Sequence, residues 1–524
     1  MKRLLPLIAA ALLLAALPTA AAASKTQESM FQDDPLLVYG TPAQVENTLD
    51  QLAALGVDRI RVSVFWDILA PATDQPSKPN FDASDPGAYP QQLWEKYDRV
   101  IRSALSRGIL VNLNITSPIP RWAAGTSPRA DLQGTFGPNA AEFKLFVQAV
   151  GTRYSGTYQG LPRVDYWSVW NEPNQAGWLT PQWAPDPRNA RRMIEAAPSI
   201  YRSLVAAAWT ALADSGHGSD TILVGETAPQ GQQNRKGISQ SIDALRFLRQ
   251  VYCLDDNLNL LKGTSAQVRG CPGDSAAFVA QNPGLFRATG YAHHPYDMLS
   301  PPARESKVED WATIADLGDL SRELRRIYQR YGQRTQTSRG VPLYLTEYGY
   351  QTPPDPASVS FSRQAAWLNE AEYIAARNPN VRTLSQFLLV DDAPDPAFST
   401  STQARLAYRT FQSGLTSLSG RRKPAYKAYA TPLFVKTPRV RRGRAVNIFG
   451  MLRAAGPTTR PRVSIEFRAK GARRWSTRKR IVVSGPRHYL NTSVRVPASG
   501  AVRLRWTNGG SALVSRAAAV TVTR

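Results

Sequence analysis

Two glutamates stand where apolar runs of strand character stop. Residues 164–174 read VDYWSVWNEPN, in which β-branched and aromatic residues end abruptly at Asn171-Glu172-Pro173. Residues 343–350 read LYLTEYGY, and that shorter run ends at Glu347. A carboxyl at a strand end sits at the mouth of a sheet, where a substrate can reach it. Two such groups brought close together can divide one task, the first acting as an anion and the second as a proton donor at the same pH. The pairing requires a scaffold that carries both strand ends to one place.

The chain alternates strand and helix patterns. Strand candidates fall at 36–39, 59–67, 109–115, 164–170, 221–225, 290–294, 343–346 and 383–390. Helical patterns lie between them. The first is opened by Thr41-Pro42 as N-cap and first-turn proline, carries Val45, Leu49, Leu52 and Leu55 at helical spacing, and is closed by Gly56. Strand-helix alternation implies a parallel sheet, and eight units is the number that closes a barrel. An open doubly wound sheet is the alternative, but no G-x-G-x-x-G loop follows the first strand. In a closed barrel the ends of the fourth and seventh strands face one another across the mouth. Glu172 and Glu347 can then approach the ~5 Å needed for double displacement at a glycosidic bond.

Charge divides the chain. The net charge is +24, yet from Arg421 onward there are 25 Lys and Arg against one acidic residue, Glu466, which leaves 39 of each sign before it. From about residue 432 the texture changes to short period-two runs such as Val463, Ile465, Phe467 and Val502, Leu504, Trp506, the pattern of a small all-β sandwich similar to immunoglobulin-like modules. The expected organisation is a leader at 1–23, a barrel domain at 24–420, a linker at 421–431 that carries Tyr426 and Tyr429, and a basic sandwich at 432–524. Met1-Lys2-Arg3, the apolar run 4–17 and the small residues 20–23 form the three parts of a secretory signal. Export is therefore expected, with no transmembrane segment in the mature chain, and the two cysteines Cys253 and Cys271 are expected to form a disulfide rather than a metal site.

The W-N-E-P at 170–173, the T-E-Y-G at 346–349 and the barrel between them resemble the clan A glycoside hydrolases, with a likeness to family 5 and family 39 enzymes that spans roughly 35–420. The resemblance implies a retaining (β/α)8 TIM-barrel glycosidase in which Glu172 is the acid/base, Glu347 the nucleophile and Asn171 the donor to the sugar 2-hydroxyl. It also implies that Arg61 on the second strand helps hold the nucleophile ionised. His294 would be a neighbour of the sugar or of the acid/base, and Tyr296 a partner of the nucleophile. One departure is visible. Strand eight reads SQFLLVDDA at 385–393, without the tryptophan that floors the sugar in many members, so Trp66, Trp122 and Asp391 become the candidate substrate contacts there. No cofactor or metal is implied. The implied partner is a carbohydrate. The basic tail could meet an anionic cell-wall polymer or acidic glycan, and nucleic acid is not expected for an exported chain. A catalytically idle carbohydrate-binding protein and a transglycosylase are the alternatives to a hydrolase.

Overall fold

The computed structural model describes residues 27–232 and 236–524, so the proposed leader at 1–23 lies outside the described residues. Eight parallel strands close a barrel: β1 (Glu28–Gln32), β2 (Arg59–Phe65), β3 (Leu110–Thr116), β4 (Tyr166–Val169), β5 (Thr221–Thr227), β6 (Gly290–His293), β7 (Leu343–Leu345) and β8 (Val381–Phe387). Each strand pairs with its successor, and β8 closes on β1 from Glu28 opposite Thr383 to Gln32 opposite Phe387. Alternation along β2 shows how the sequence builds the wall. Ile60, Val62 and Val64 join the apolar core, while Arg59 and Arg61 reach other polar groups of the barrel.

The first strand differs from expectation. Residues 36–39 do not form a strand; Glu28–Gln32 does, and Asp34–Leu37 is a short helix. The physical cause is Asp33-Asp34-Pro35. Asp33 caps the helix by accepting from the Leu36 amide, proline occupies the first turn, and the apolar residues that follow belong to that turn. Asp33 also accepts from the Leu389 amide at 2.8 Å, which ties the end of β1 to the end of β8. The helix Pro42–Leu55 forms as expected, with a complete capping box at Thr41 and Gln44 and Gly56 in the left-handed region at φ 78°.

From Leu433 onward the chain forms a three-stranded and a six-stranded sheet, which share a core that includes Leu433, Ile448, Ile465, Leu490, Leu504 and Trp506. The connecting segment is docked rather than free. Its helix Pro424–Ala430 lies along the helix Phe361–Arg377, where Asn369 donates to the Ala428 carbonyl at 2.8 Å, and Tyr429 meets Phe31 of β1 edge to face at 5.6 Å. Arg453 of the sandwich is fully buried, ion-paired to Glu372 at 2.5 Å and stacked over Tyr429 at 4.2 Å. It also donates to Ser29, near the start of β1, and Arg487 pairs with Asp58 just before β2. Gly56 completes the joint, because a Cβ there would lie 2.3 Å from the Arg453 carbonyl oxygen. The sandwich therefore sits on the face of the barrel where the strands begin. Removing one partner of a buried ion pair leaves the other charge without compensation. Glu372→Ala should accordingly cost about 3–5 kcal/mol in urea unfolding, and an unchanged midpoint would contradict the docking role.

Candidate functional site

The carboxyl ends of the strands converge on a cleft of about 500 Å³ lined by Asn171, Glu172, Trp178, Tyr296, Glu347, Phe387 and Phe411 among others. At its floor lies Arg61, 0% exposed. Its Nη1 donates to Glu347 Oε1 at 2.9 Å and to Gln32 at 2.5 Å, and its Nη2 donates to Asn171 Oδ1 at 2.6 Å and to Glu226 Oε2 at 3.0 Å. Holding the carbonyl oxygen of Asn171 leaves its amide NH2 as the group available to the cleft.

His294 bridges the carboxylates. Its Nδ1 lies 2.9 Å from Glu172 and 3.5 Å from Glu347, and its Nε2 lies 2.8 Å from Glu226. Tyr296 donates to Glu347 Oε2 at 3.1 Å. One carboxyl oxygen each of Glu172 and Glu347 and one His294 nitrogen all lie within 4.8 Å of one another. Burial by itself would push the His294 imidazole down, but the Glu347 charge and the hydrogen bonds to Glu172 and Glu226 outweigh it and raise it to about 9. With a carboxylate facing each of its nitrogens, the ring can donate from both as an imidazolium.

Glu226, at the end of β5, is the residue that the sequence reading missed. Its side chain is 0% exposed and accepts from Arg61, His294 and Thr346. Burial raises its carboxyl, yet the Arg61 and His294 charges prevail and hold it at about 2. Glu347 goes the other way: burial pushes it above its ordinary 4.5, and His294 and Arg61 only partly offset that, with the Glu172 and Glu226 charges adding to the rise. Arg61, expected to help keep Glu347 ionised, is shared, because Glu226 takes part of the same guanidinium.

Local backbone explains how these side chains reach the mouth. Trp170, Glu172 and Glu226 adopt φ of 68°, 35° and 48°, conformations that non-glycine residues keep only where surrounding contacts compel them. Those contacts are present. The Trp170 amide donates to Ile115, the Asn171 amide to Thr116, and the Glu172 amide to the Glu226 carbonyl at 2.9 Å. Trp170 itself is buried, its Nε1 donating to the Trp178 carbonyl at 3.0 Å.

Three expected substrate contacts fall elsewhere. Trp66 is fully buried and stacked on Phe146 at 5.5 Å, because the chain turns into the short helix Trp66–Leu69 directly after β2 and carries the ring behind the wall. Trp122 stands edge-on to Trp66 and donates to the Pro71 carbonyl, outside the residues lining the cleft. Asp391 is buried against Lys423 at 2.5 Å and accepts from the Gly414 amide, so it anchors the chain after β8 while its neighbour Asp392 lines the cleft. The aromatic surface near the end of β8 comes instead from Phe387, edge-to-face with Phe411 at 5.0 Å. Cys253 and Cys271 are bonded, with Cα atoms 5.8 Å apart. His293 is held between Thr227 and the Ala312 carbonyl, and burial lowers it to about 4.

The sequence profile described as "Cellulase (glycosyl hydrolase family 5)" matches residues 20–381, a span that carries Arg61, Glu172, Glu226, His294 and Glu347. The chain belongs to glycoside hydrolase family 5. No curated protein matches it. Among solved structures it is similar to a family 39 glycoside hydrolase from Bacteroides cellulosilyticus, at 13% identity over 90% of this chain and 80% of that one, with a TM-score of 0.46. It is also similar to a monomeric beta-xylosidase from Caulobacter crescentus, at 17% identity over 91% and 96% with a TM-score of 0.46. A third is GH5_18 from Streptomyces cattleya in complex with GlcNAc, at 16% over 78% and 79% with a TM-score of 0.45. This family 5 chain is thus a glycosidase in general terms, with the barrel typical of TIM-barrel hydrolases.

Proposed function

We propose that this family 5 chain is a retaining glycoside hydrolase that works by double displacement, with Glu347 as nucleophile and Glu172 as acid/base. The observation that carries the reading is the separation of the two carboxyls. One oxygen of each lies within 4.8 Å of the other, which agrees with the about 5–5.5 Å of retaining enzymes rather than the about 6.5–9.5 Å of inverting ones. Glu347 attacks the anomeric carbon as an anion while Glu172 gives its proton to the departing oxygen. Glu172 then takes a proton from water, which releases the sugar from Glu347. Arg61 and Tyr296 both donate to Glu347, and His294 is the donor to Glu172.

Two tests follow for the pair. Glu347→Gly should abolish hydrolysis with the fold intact. Glu172→Ala should lower kcat by about 10²–10⁴ on an unactivated glycoside and respond to azide on an activated aryl glycoside. Full activity in either variant would sink the assignment. Because catalysis needs the Glu347 anion and burial raises that carboxyl, activity should fall with decreasing pH along a limb centred above 4.5. A limb centred below 4.5 would contradict this.

Export is part of the same proposal, supported by the three-part leader at 1–23 and the Cys253–Cys271 bond. No helix among the described residues is long and apolar enough to cross a membrane. The sandwich is proposed to hold the enzyme on an anionic polymer. Arg468 and Arg503 stack on Trp475 at 4.8 and 4.2 Å, Arg505 and Arg480 lie nearby on the same sheet, and the one carboxylate, Glu466, is buried against Arg503. Lying on the face opposite the cleft, such a contact would leave the site open. The full chain should bind a polyuronate with an affinity that falls steeply with salt, and Arg480→Ala with Arg505→Ala should weaken it. Equal binding to neutral glucan would refute it.

A further inference from the structure

Glu226 has no part in the two displacement steps, yet it is as deeply buried as Arg61 and has its own backbone provision. Between β5 and β6 the register shifts at Gly225 to Thr227, so Glu226 is the extra residue of a bulge. Gly225 makes the bulge feasible: its φ is 108°, and a Cβ there would lie 2.6 Å from the Ala292 carbonyl oxygen. The bulge turns the carboxylate inward, and its own carbonyl oxygen takes the Glu172 amide. One residue thus fixes the Glu172 backbone, Arg61 and His294 together.

The charges supply the reason. Three carboxylates, Glu172, Glu226 and Glu347, face two cations, Arg61 and His294, so the cluster is neutral when it holds one further proton. The buried tyrosines and the neighbouring His293 do not alter this count, and Asp34 lies outside the hydrogen-bonded cluster. Tyr201 and Tyr291, packed towards Glu226, and Tyr296, against Glu347, are all pushed up by burial and stay neutral, as does His293. Asp34 adds its field to Arg61 but accepts from the Ser63 amide and from Gln32.

We propose that Glu226 is a positioning residue that neutralises Arg61 and fixes His294 as an imidazolium, leaving one proton for Glu172 and Glu347 to hold between them. The proposal rests on the double-displacement reading for its consequence and on the cluster geometry for its substance. Without the Glu226 charge, the cluster would release its next proton at lower pH, and the proton that double displacement passes to the leaving group would be lost from the site.

The test uses the full chain with Glu226→Gln, which keeps the shape and removes the charge, and Glu226→Asp, which keeps the charge. Two readouts are followed: the 15N NMR titration of His294 and the pH dependence of kcat. In the unmodified chain His294 should stay doubly protonated through pH 8; a midpoint below 7 would overturn the proposal without any variant. In Glu226→Gln the His294 midpoint and the alkaline limb of kcat should both move down by a unit or more, about a tenfold loss at a fixed pH on that limb. A 2,4-dinitrophenyl glycoside, whose leaving group needs no proton, should be spared most of that loss, and Glu226→Asp should restore the limb. An unmoved midpoint and limb in Glu226→Gln, whatever happens to kcat, would reduce Glu226 to a structural part and overturn the proposal. A chain that turns over no glycoside would sink the hydrolase reading, while the NMR titration would still decide the role of Glu226.

Discussion

A guanidinium with no exposure to water must find its compensation within the protein, and Arg61 finds it at its two terminal nitrogens while Nε stays unpaired among the described residues. Stripping a charge of its hydration costs several kcal/mol even in a relaxed interior, so each donor needs an acceptor of good geometry. Arg61 finds Gln32 from β1, Asn171 after β4, Glu226 from β5 and Glu347 after β7. Four separate segments are thereby referred to one planar fork of fixed geometry. The separation of Glu172 from Glu347 follows from this arrangement and from the second cation, His294, which spans Glu172 and Glu226.

The barrel has two ends with opposite electrostatic tasks. At the mouth, three carboxyls face Arg61 and His294. At the other end, the basic sandwich spends Arg453 and Arg487 on Glu372 and Asp58 and keeps the rest of its charge on exposed strands. The even charge of the first 420 residues and the excess beyond them therefore correspond to two surfaces on opposite faces. Docking is by buried ion pair and aromatic stacking, which makes the sandwich part of the barrel's lower wall.

Much of this was legible in the chain. Period-two and helical patterns with their caps located seven of the eight strands, and the stops at Glu172 and Glu347 marked the mouth. The first strand was hidden because ESMFQ at 28–32 mixes polar and apolar residues, while the apolar stretch that drew attention is a helix turn announced by Asp33, Asp34 and Pro35. Glu226 escaped because Gly225 reads as a strand stop, and only the register with β6 reveals a bulge. Trp66 and Asp391 were misread for a shared reason. Position at a strand end says where the backbone emerges, but whether the side chain faces the cleft or the surrounding helices depends on the next turn, which single-sequence patterns do not resolve. Tyr296 and His294, by contrast, follow β6 in a short segment held by Pro295, and both lie where the resemblance implied.

The central claim is that the two carboxyls are close enough for direct attack on the sugar rather than attack by an intervening water. The stereochemistry of the first-formed product decides it. With an aryl β-glycoside turned over by the full chain and followed by 1H NMR from the first minute, the anomer released should have the same configuration as the substrate and should then mutarotate. Initial release of the opposite anomer would contradict the account, because inversion goes with a wider separation of the two carboxyls.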